Sequence, residues 1–589
     1  MEIALVLGLL LLSIGLFATE KLPVDVITLL LLVALVGSGV LTTAEAFAGF
    51  SSDIIIILGS IFVVSGALQE TGLLDAVGER LVKLGRTGPK SLLLLLMGSA
   101  ASVSAFMNNT TVAAMLVPPV IGMAKNAKIS PSRLLMPLAF ASILGGTCTL
   151  IGTSTNVAVS GYIARSQLAP LGLFEITPIG LVIVAVGIAY MVLLGQRLLP
   201  AHEGESTTEA YALRDYLSEI VVQPGSPLIG QVTVGWDLSL LDFRILSLLR
   251  GEKKFPPGLQ VMIEEGDTLL VEGKVDTLLK VKKIEGIEIR GNLDLEKLPL
   301  SDATLKIAEV LIAPTSTLIG RTLKQADFRR RFGLPVLAIH RHGQSLREKI
   351  GDVPLRLGDL LLVEGPADSM EMLRGTGGLV ILDEHRRPGG ETRKGLYVTG
   401  AFAAAIGAGA FGWVPLPIAF LSAALVAVLL RCISIEKARA VIDLRLLLLI
   451  GGMTAFGTAM EKTGAAALLA HWVVALLSPL GVMAVLAGFF VLTIALSQPM
   501  SNAAAALVVL PVAMSAAREL GVLERTFAIA IMLAASISFI APLEPACILV
   551  YGPGRYRFLD FVKVGGGLTL VLIPVVLLLI PVFWPLHAR

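Results

Sequence analysis

Residues 106 to 120 read FMNNTTVAAMLVPPV, so Asn108, Asn109, Thr110 and Thr111 set four amide and hydroxyl side chains inside a stretch that is otherwise apolar. An amide offers an acceptor oxygen for a cation and two N–H donors for an anion. A helix starting beside it adds free backbone N–H groups and a partial positive charge. The pattern recurs in MSNAAAALVVLP, with Ser501 and Asn502. Each site is followed by a second polar break. The first, GGTCTLIGTSTN at 145 to 156, combines Gly145, Gly146 and Gly152 with Thr147, Thr149, Thr153, Ser154, Thr155 and Asn156. Its glycines allow close backbone approach and its side chains offer oxygens and an amide. The second, SFIAPLEPACILVYGPG at 538 to 554, holds Glu544 between Pro542 and Pro545. A lone carboxylate at membrane depth costs about 2.5 to 3.5 kcal/mol and marks function by default. Glu544 is a coupling candidate that could sense protons, bind a cation or pair with Arg555 or Arg557. Polar clusters also glue membrane helices together, but a pair at matching positions points to a site.

The elements that must carry these residues are membrane helices. Of the 589 residues 55% are hydrophobic and 16% charged, and the mean hydropathy is +0.83; such a composition is that of an integral membrane protein. Of 92 charged residues, 55 lie between 201 and 394, so the chain reads as membrane half, soluble insert, membrane half. A net charge of +2 offers no basic face for phosphate neutralisation, which excludes nucleic acid as partner. Cys148, Cys432 and Cys547 are isolated and support neither a disulfide framework nor a CxxC metal site. No nucleophile and base stand at a recognisable spacing, so an enzyme is not expected.

About twenty apolar residues cross a bilayer. That ruler predicts spans near 3–19, 23–41, 53–69, 134–151 and 178–195, then 397–413, 415–431, 446–460, 527–550 and 564–585. The N-terminus starts with an acidic residue where a signal peptide needs basic ones, and reads as a retained span. The halves repeat each other: LGSIFVVSGALQETG (58–72) aligns with IGGMTAFGTAMEKTG (450–464), and Asn109 and Pro118 align with Asn502 and Pro511. Loop 70–90 holds Arg80, Lys83, Arg86 and Lys90, and 431–445 holds Arg431, Lys437, Arg439 and Arg445. Their counterparts, 462–482 and 39–53, hold Lys462 and no basic residue. Because positive charge collects on the cytoplasmic side, the repeats are expected to be inverted, with 91–124 and 483–517 as re-entrant hairpins. Inverted repeats with interrupted helices point to a secondary transporter with its site at the midplane.

These residues resemble the divalent anion:sodium symporters of the wider ion transporter superfamily, which also holds arsenite permeases and sodium/proton antiporters. Family members carry Ser-Asn-Thr at each hairpin tip; here the tips read Asn108-Asn109-Thr110 and Ser501-Asn502-Ala503. The family's next loop is matched by GTSTN, whereas its second Thr-Pro-Pro-Asn type loop is replaced by PLEPA. The resemblance implies a sodium site at Asn109, Gly152, Thr153 and Asn156, and another at Asn502, Ala541 and Pro542. It places the anion among Asn108, Asn109, Thr110, Thr153, Ser501 and Asn502, and implies an elevator-type movement, a homodimer, and no organic cofactor.

The insert has its own repeat. IVVQPGSPLIGQVT (220–233) pairs with VLIAPTSTLIGRTL (310–323), and IEEGDTLLVEG (263–273) with LRLGDLLLVEG (355–365). Alternating apolar runs between Gly-Asp and Pro-Gly turns predict strands. The two α/β modules, 216–290 and 300–385, resemble TrkA-C domains, which implies a small-molecule ligand and a cytoplasmic location. Linkers at 196–215 and 386–396 separate them from membrane repeats 1–195 and 397–589. His340 and His342 read as a solvated turn, and Gly407, Gly409 and Gly412 as a packing feature within a span.

The reading as a whole is a multi-span α-helical protein of the cell membrane that imports a small divalent anion with sodium. Sulfate is favoured, with dicarboxylates and citrate next. Moving a charge of −2 against 100 mV costs about 4.6 kcal/mol, twice the 2.3 per charge, and two sodium ions cancel it. A sodium/proton antiporter would need buried acids in both breaks, and only Glu544 qualifies. An arsenite permease would use the same scaffold. A ligand-gated channel is the remaining alternative, but no TVGYG-like filter is present.

Overall fold

The structure, a computed structural model, describes residues 2–19, 22–71, 89–127, 129–200 and 392–587, together with 217–226, 228–230, 237–238, 243–250, 253–255, 261–272, 287–290, 305–313, 316–341, 344–345, 350–374 and 378–382. Arg80, Lys83, Arg86, His342 and most of both expected linkers lie outside these residues. The chain divides into two units, one made of Met1–Ala201 with His385–Arg589, the other of His202–Glu384.

The first half of the helical unit contains α1 (Glu2–Thr19), α2 (Val24–Gly37), α3 (Asp53–Glu70), α4 (Pro89–Ser104), α5 (Asn109–Ala127), α6 (Ser132–Gly146), α7 (Ser154–Arg165) and α8 (Thr177–Tyr190). The second half contains α9 (Thr392–Ala410), α10 (Leu416–Leu429), α11 (Leu444–Thr463), α12 (Ala465–Leu477), α13 (Val482–Ser497), α14 (Asn502–Glu519), α15 (Glu524–Ala535), α16 (Pro545–Tyr551) and α17 (Phe558–Phe583). Adding 392 to the bounds of α2 gives those of α10, and adding 393 to the bounds of α4 gives those of α13. Asn109 and Asn502 each open a helix.

Among the described residues five helical stretches are long and apolar enough to cross a membrane: Glu2–Thr19, Thr43–Glu70, Thr177–Leu198, Leu444–Thr463 and Phe558–Phe583. Of the other expected spans, 397–413 falls mostly in the 19-residue α9, which is not apolar enough to be counted with these five, and α2 and α10 have only 14 residues each. Two expected spans, 134–151 and 527–550, are interrupted helices. The first stops at Gly146 and resumes at Ser154; the second stops at Ala535 and resumes at Pro545. Glycine favours termination and proline cannot donate to a preceding turn, which accounts for breaks at Gly145-Gly146 and around Pro542 and Pro545.

Packing repeats as the sequence does. The contact of α2 with α11 is matched by α10 with α3, that of α5 with α16 by α14 with α7, and that of α6 with α16 by α15 with α7. Helices α6, α14 and α15 are buried nearly all round, as helices apolar on every face must be when they form an interior. Among the ion pairs that join the halves are Glu45 with Lys462 at 2.9 Å and Lys437 with Glu70 at 2.5 Å. Positions 45 and 70 map by 392 onto 437 and 462, so one geometry occurs twice with its signs exchanged. Caps repeat too: Thr42 accepts from Glu45 N–H and Ser434 from Lys437 N–H.

In the insert, strands β1 (Leu217–Val222), β2 (Asp237–Leu238), β3 (Phe243–Arg250), β4 (Lys253–Phe255), β5 (Thr268–Glu272) and β6 (Ile287–Arg290) form one antiparallel sheet, ordered β2-β3-β5-β1-β6 with β4 on β3. Strands β7 (Leu305–Ile312), β8 (Val336–Arg341), β9 (Gln344–Ser345), β10 (Leu360–Pro366) and β11 (Leu379–Ile381) form a second, ordered β11-β7-β10-β8-β9. The pairing β3-β5-β1-β6 is thus repeated as β8-β10-β7-β11. Each sheet carries the same staple. Arg250 grips Asp267 through Nε at 2.8 Å and Nη2 at 2.9 Å; Arg341 grips Asp359 at 2.8 and 2.7 Å. Both carboxylates also accept a backbone N–H, from Glu264 and from Arg356. His340 lies in β8, paired with Ser345 and Leu360, so it belongs to a strand and not to a turn: its stretch alternates and finds partners on both sides.

Candidate functional site

The first site is assembled where the α4–α5 turn meets the break between α6 and α7. Asn108 caps α5, its Oδ1 accepting from Thr110 N–H at 2.9 Å. Asn109 is buried, and its Oδ1 lies 2.9 Å from Ser104 Oγ, which also lies 2.6 Å from the Ser142 carbonyl. One hydroxyl proton serves only one of these oxygens at a time. A Cβ on Gly146 would stand 2.5 Å from Asn109 Oδ1, and one on Gly152 would stand 2.6 Å from the Gly146 carbonyl oxygen and 3.0 Å from that of Ala105. Glycine at both positions is what lets the amide and the carbonyls converge.

Asn156 closes the arrangement. Fully buried, it donates through Nδ2 to the carbonyls of Gly146 at 3.0 Å and Thr149 at 2.9 Å. Its Oδ1 is buried without a hydrogen-bond partner, as is Thr155 Oγ1. Leaving a buried acceptor unpaired costs about 1 to 3 kcal/mol, so an oxygen held this way is suited to a bound cation. Thr149 Oγ1 donates to the Ala105 carbonyl, tying the break to the turn. Thr153 caps α7, accepting from Thr155 N–H at 3.2 Å. The structure therefore brings Asn109, Gly152 and Asn156 together, and gives Thr153 and Asn108 capping duties beside them.

The second site is built from different groups. Ser501 caps α14, accepting from Ala504 N–H at 3.3 Å. Asn502 donates through Nδ2 to Glu544 Oε2 at 3.1 Å. Gln498 receives the Ala541 N–H on Oε1 at 3.0 Å and donates to the Ile494 carbonyl at 3.0 Å and to that of Ile537 at 3.4 Å. Asn502 is thereby linked to the break through Glu544, Ala541 is held from the turn through Gln498, and Pro542 is buried. Both breaks are pressed from outside by a glycine. A Cβ on Gly180 of α8 would meet Cys148 Cα and the Thr147 oxygen at 2.6 Å, and one on Gly565 of α17 would meet the Phe539 oxygen at 1.9 Å.

A family model described as a citrate transporter matches residues 14–537. The chain belongs to the citrate transporter family. As a member it is a membrane transporter of the divalent anion class. Among its relatives, an uncharacterized transporter of Synechocystis, sll0640, is 33% identical, covering 97% of this chain and 95% of that one. The uncharacterized transporter YfbS of Escherichia coli is 32% identical, with 99% of each chain covered. Sodium/sulfate cotransporter 2 of Chlamydomonas reinhardtii is 29% identical over 55% of this chain and 39% of its own.

In this citrate transporter family member, Ser104 and Gln498 bond to the candidate sites and were passed over by the sequence reading. The signal was present: Ser104 aligns with Ser497, and Gln498 is an amide in an apolar run four residues before Asn502. The charges near the second hairpin resolve into ion pairs. Arg518 meets Glu524 at 2.8 Å and Glu461 at 3.4 Å, and Arg525 meets Glu175 at 2.7 Å. Gly409 packs where a Cβ would touch Leu416 at 2.4 Å, whereas a Cβ at Gly407 or at Gly412, which lies past the end of α9, would meet nothing within 4 Å, so of this glycine string Gly409 alone serves packing. No group of three or more His, Cys, Asp or Glu able to hold a metal occurs among the described residues.

Proposed function

We propose that this chain imports a small divalent anion coupled to sodium, with sulfate as first substrate and dicarboxylates or citrate next. The observation that carries this reading is a pair of buried, unpartnered oxygens at the start of α7: Thr155 Oγ1, and Oδ1 of Asn156, whose amide nitrogen donates to the carbonyls of Gly146 and Thr149. Neutral oxygens at this density suit a weakly hydrated hard cation and hold an anion poorly. A relative named as a sodium/sulfate cotransporter supports the choice of ion and anion. The anion is assigned to the turns, with Asn108, Asn109, Thr110, Thr153, Ser501 and Asn502 supplying N–H and hydroxyl donors. One sodium is assigned to Asn109, Gly152, Thr153 and Asn156, the other to Asn502, Ala541 and Pro542.

The exchanged ion pairs support an inverted repeat. Glu45 stands before α3 and Glu70 ends it, the helix being about 27 Å long at 1.5 Å per residue, while Lys462, counterpart of Glu70, binds Glu45 at the other end. The α4–α5 and α13–α14 pairs are then re-entrant hairpins, each entering and leaving on one face. The hairpins pack on the opposite half's broken helix, α5 on α16 and α14 on α7. That supports an elevator in which α4–α7 and α13–α16 move as one body. We place the protein in the cell membrane as a homodimer among lipids, with the two insert modules as cytoplasmic TrkA-C-like domains that bind a small-molecule ligand.

The test is uptake of radiolabelled sulfate by proteoliposomes with and without an inward sodium gradient, beside an Asn109→Ala, Asn502→Ala double variant. Sodium-dependent uptake that the variant loses is expected. Uptake insensitive to sodium would overturn the symport reading; failure of sulfate with uptake of succinate or citrate would replace the substrate.

A further inference from the structure

The two halves are equivalent in backbone but not in charge. In the first, Gly146 leaves room for Asn109, whose Oδ1 would sit 2.5 Å from any Cβ there. The equivalent position, 146 plus 392, is Ser538, whose Oγ is buried without a partner. Asn502, the equivalent of Asn109, turns its Nδ2 to Glu544 at 3.1 Å. The first site is thus made of neutral oxygens, while the second contains a carboxylate.

Glu544 is half-buried, and its recorded partner is the neutral Asn502 amide. None of the ion pairs among the described residues includes it. Asn502 donates one N–H, while a carboxylate has about four acceptor positions, so most of its capacity is open. At low dielectric such a charge calls for a cation. It also bonds the residue assigned to the anion, and two negative charges so close repel unless a cation stands between them.

Resting on the sodium-coupled reading, we propose that Glu544 is an electrostatic interlock. Its carboxylate, when ionised, bars a divalent anion from the second hairpin until a monovalent metal cation binds at Glu544, Asn502 and Ser538. The coupling of cation to anion is then an order of binding enforced by charge, and removing the charge while keeping the shape should release it.

The experiment is equilibrium binding of radiolabelled sulfate to the purified full chain in detergent, with sodium exchanged for potassium at constant ionic strength. Wild type is expected to bind in sodium alone, with a Hill slope near two against sodium. Glu544→Gln is expected to bind sulfate in potassium within about threefold of its strength in sodium, with the slope falling toward one. Glu544→Asp, which keeps the charge, is expected to keep the sodium requirement. Glu544→Gln that retains the full sodium requirement, or binds no sulfate in either salt, overturns the interlock. Wild type that binds equally in both salts overturns the sodium-coupled reading instead.

Discussion

Asn156 carries the most at the scale of single residues, because one side chain both seals the first break and leaves an oxygen open. Asn156→Ala removes donors to two buried carbonyls, a loss of about 1 to 3 kcal/mol. We expect thermal stability to fall and the sodium concentration for half-maximal uptake to rise about tenfold or more, measured by a melting curve and by sodium-titrated uptake. An unchanged sodium dependence with lowered stability would make Asn156 a structural clasp alone. Glu175 supplies a pH prediction. Burial pushes its carboxyl up, but Arg525, the Gly172 N–H and Trp584 outweigh that and hold it below the ordinary 4.5. A carboxyl lowered in the fold contributes stability that is present above 4.5 and is lost as pH falls through the folded value. Melting temperature measured from pH 7 downward should therefore drop more in wild type than in Glu175→Gln.

Elements meet here through glycines, and the contrast between neighbours makes that testable. A Cβ at Gly565 would enter the Phe539 carbonyl at 1.9 Å, while one at Gly566 meets nothing within 4 Å. Overpacking costs about 1 to 3 kcal/mol, so Gly565→Ala should lower both stability and uptake, and Gly566→Ala should leave both near wild type. Equal behaviour of the two in a melting assay would remove the idea that α17 sets the second break. Most of this level was legible from residue types. Gly-Gly, Pro-x-x-Pro and the amide tips marked where helices must stop, since glycine and proline act on the local backbone. The shortness of α2 and α10 was not legible, because an apolar run continues past the point where a helix ends.

The whole molecule is tested by sidedness. All three cysteines are buried, so single cysteines introduced at Glu45, Glu70, Lys437 or Lys462 report on their own position. An inverted repeat requires that the 45 and 462 variants react with a membrane-impermeant thiol reagent from one side, and the 70 and 437 variants from the other. Reaction of positions 45 and 437 from the same side would replace inversion by a parallel repeat. The order of charge along the chain already told of two membrane halves around a charged insert. Internal alignment at 392 residues, slipping to 393 at Asn109 and Asn502, told that each amide turn has a twin.

Sequence alone determined the class of protein, the repeats, and the identity of Asn109, Asn156 and Asn502 as site candidates, because hydropathy and helix-breaking residues act locally and leave a readable pattern. Tertiary structure decided what each side chain holds. It paired Glu544 with Asn502 instead of Arg555 or Arg557, brought Ser104 and Gln498 to the breaks, and left Asn156 Oδ1 unpartnered. Such partners lie up to 43 residues apart, as Gln498 and Ala541 do. They meet only when packed helices bring separate breaks to one place, and no spacing rule along the chain encodes that encounter.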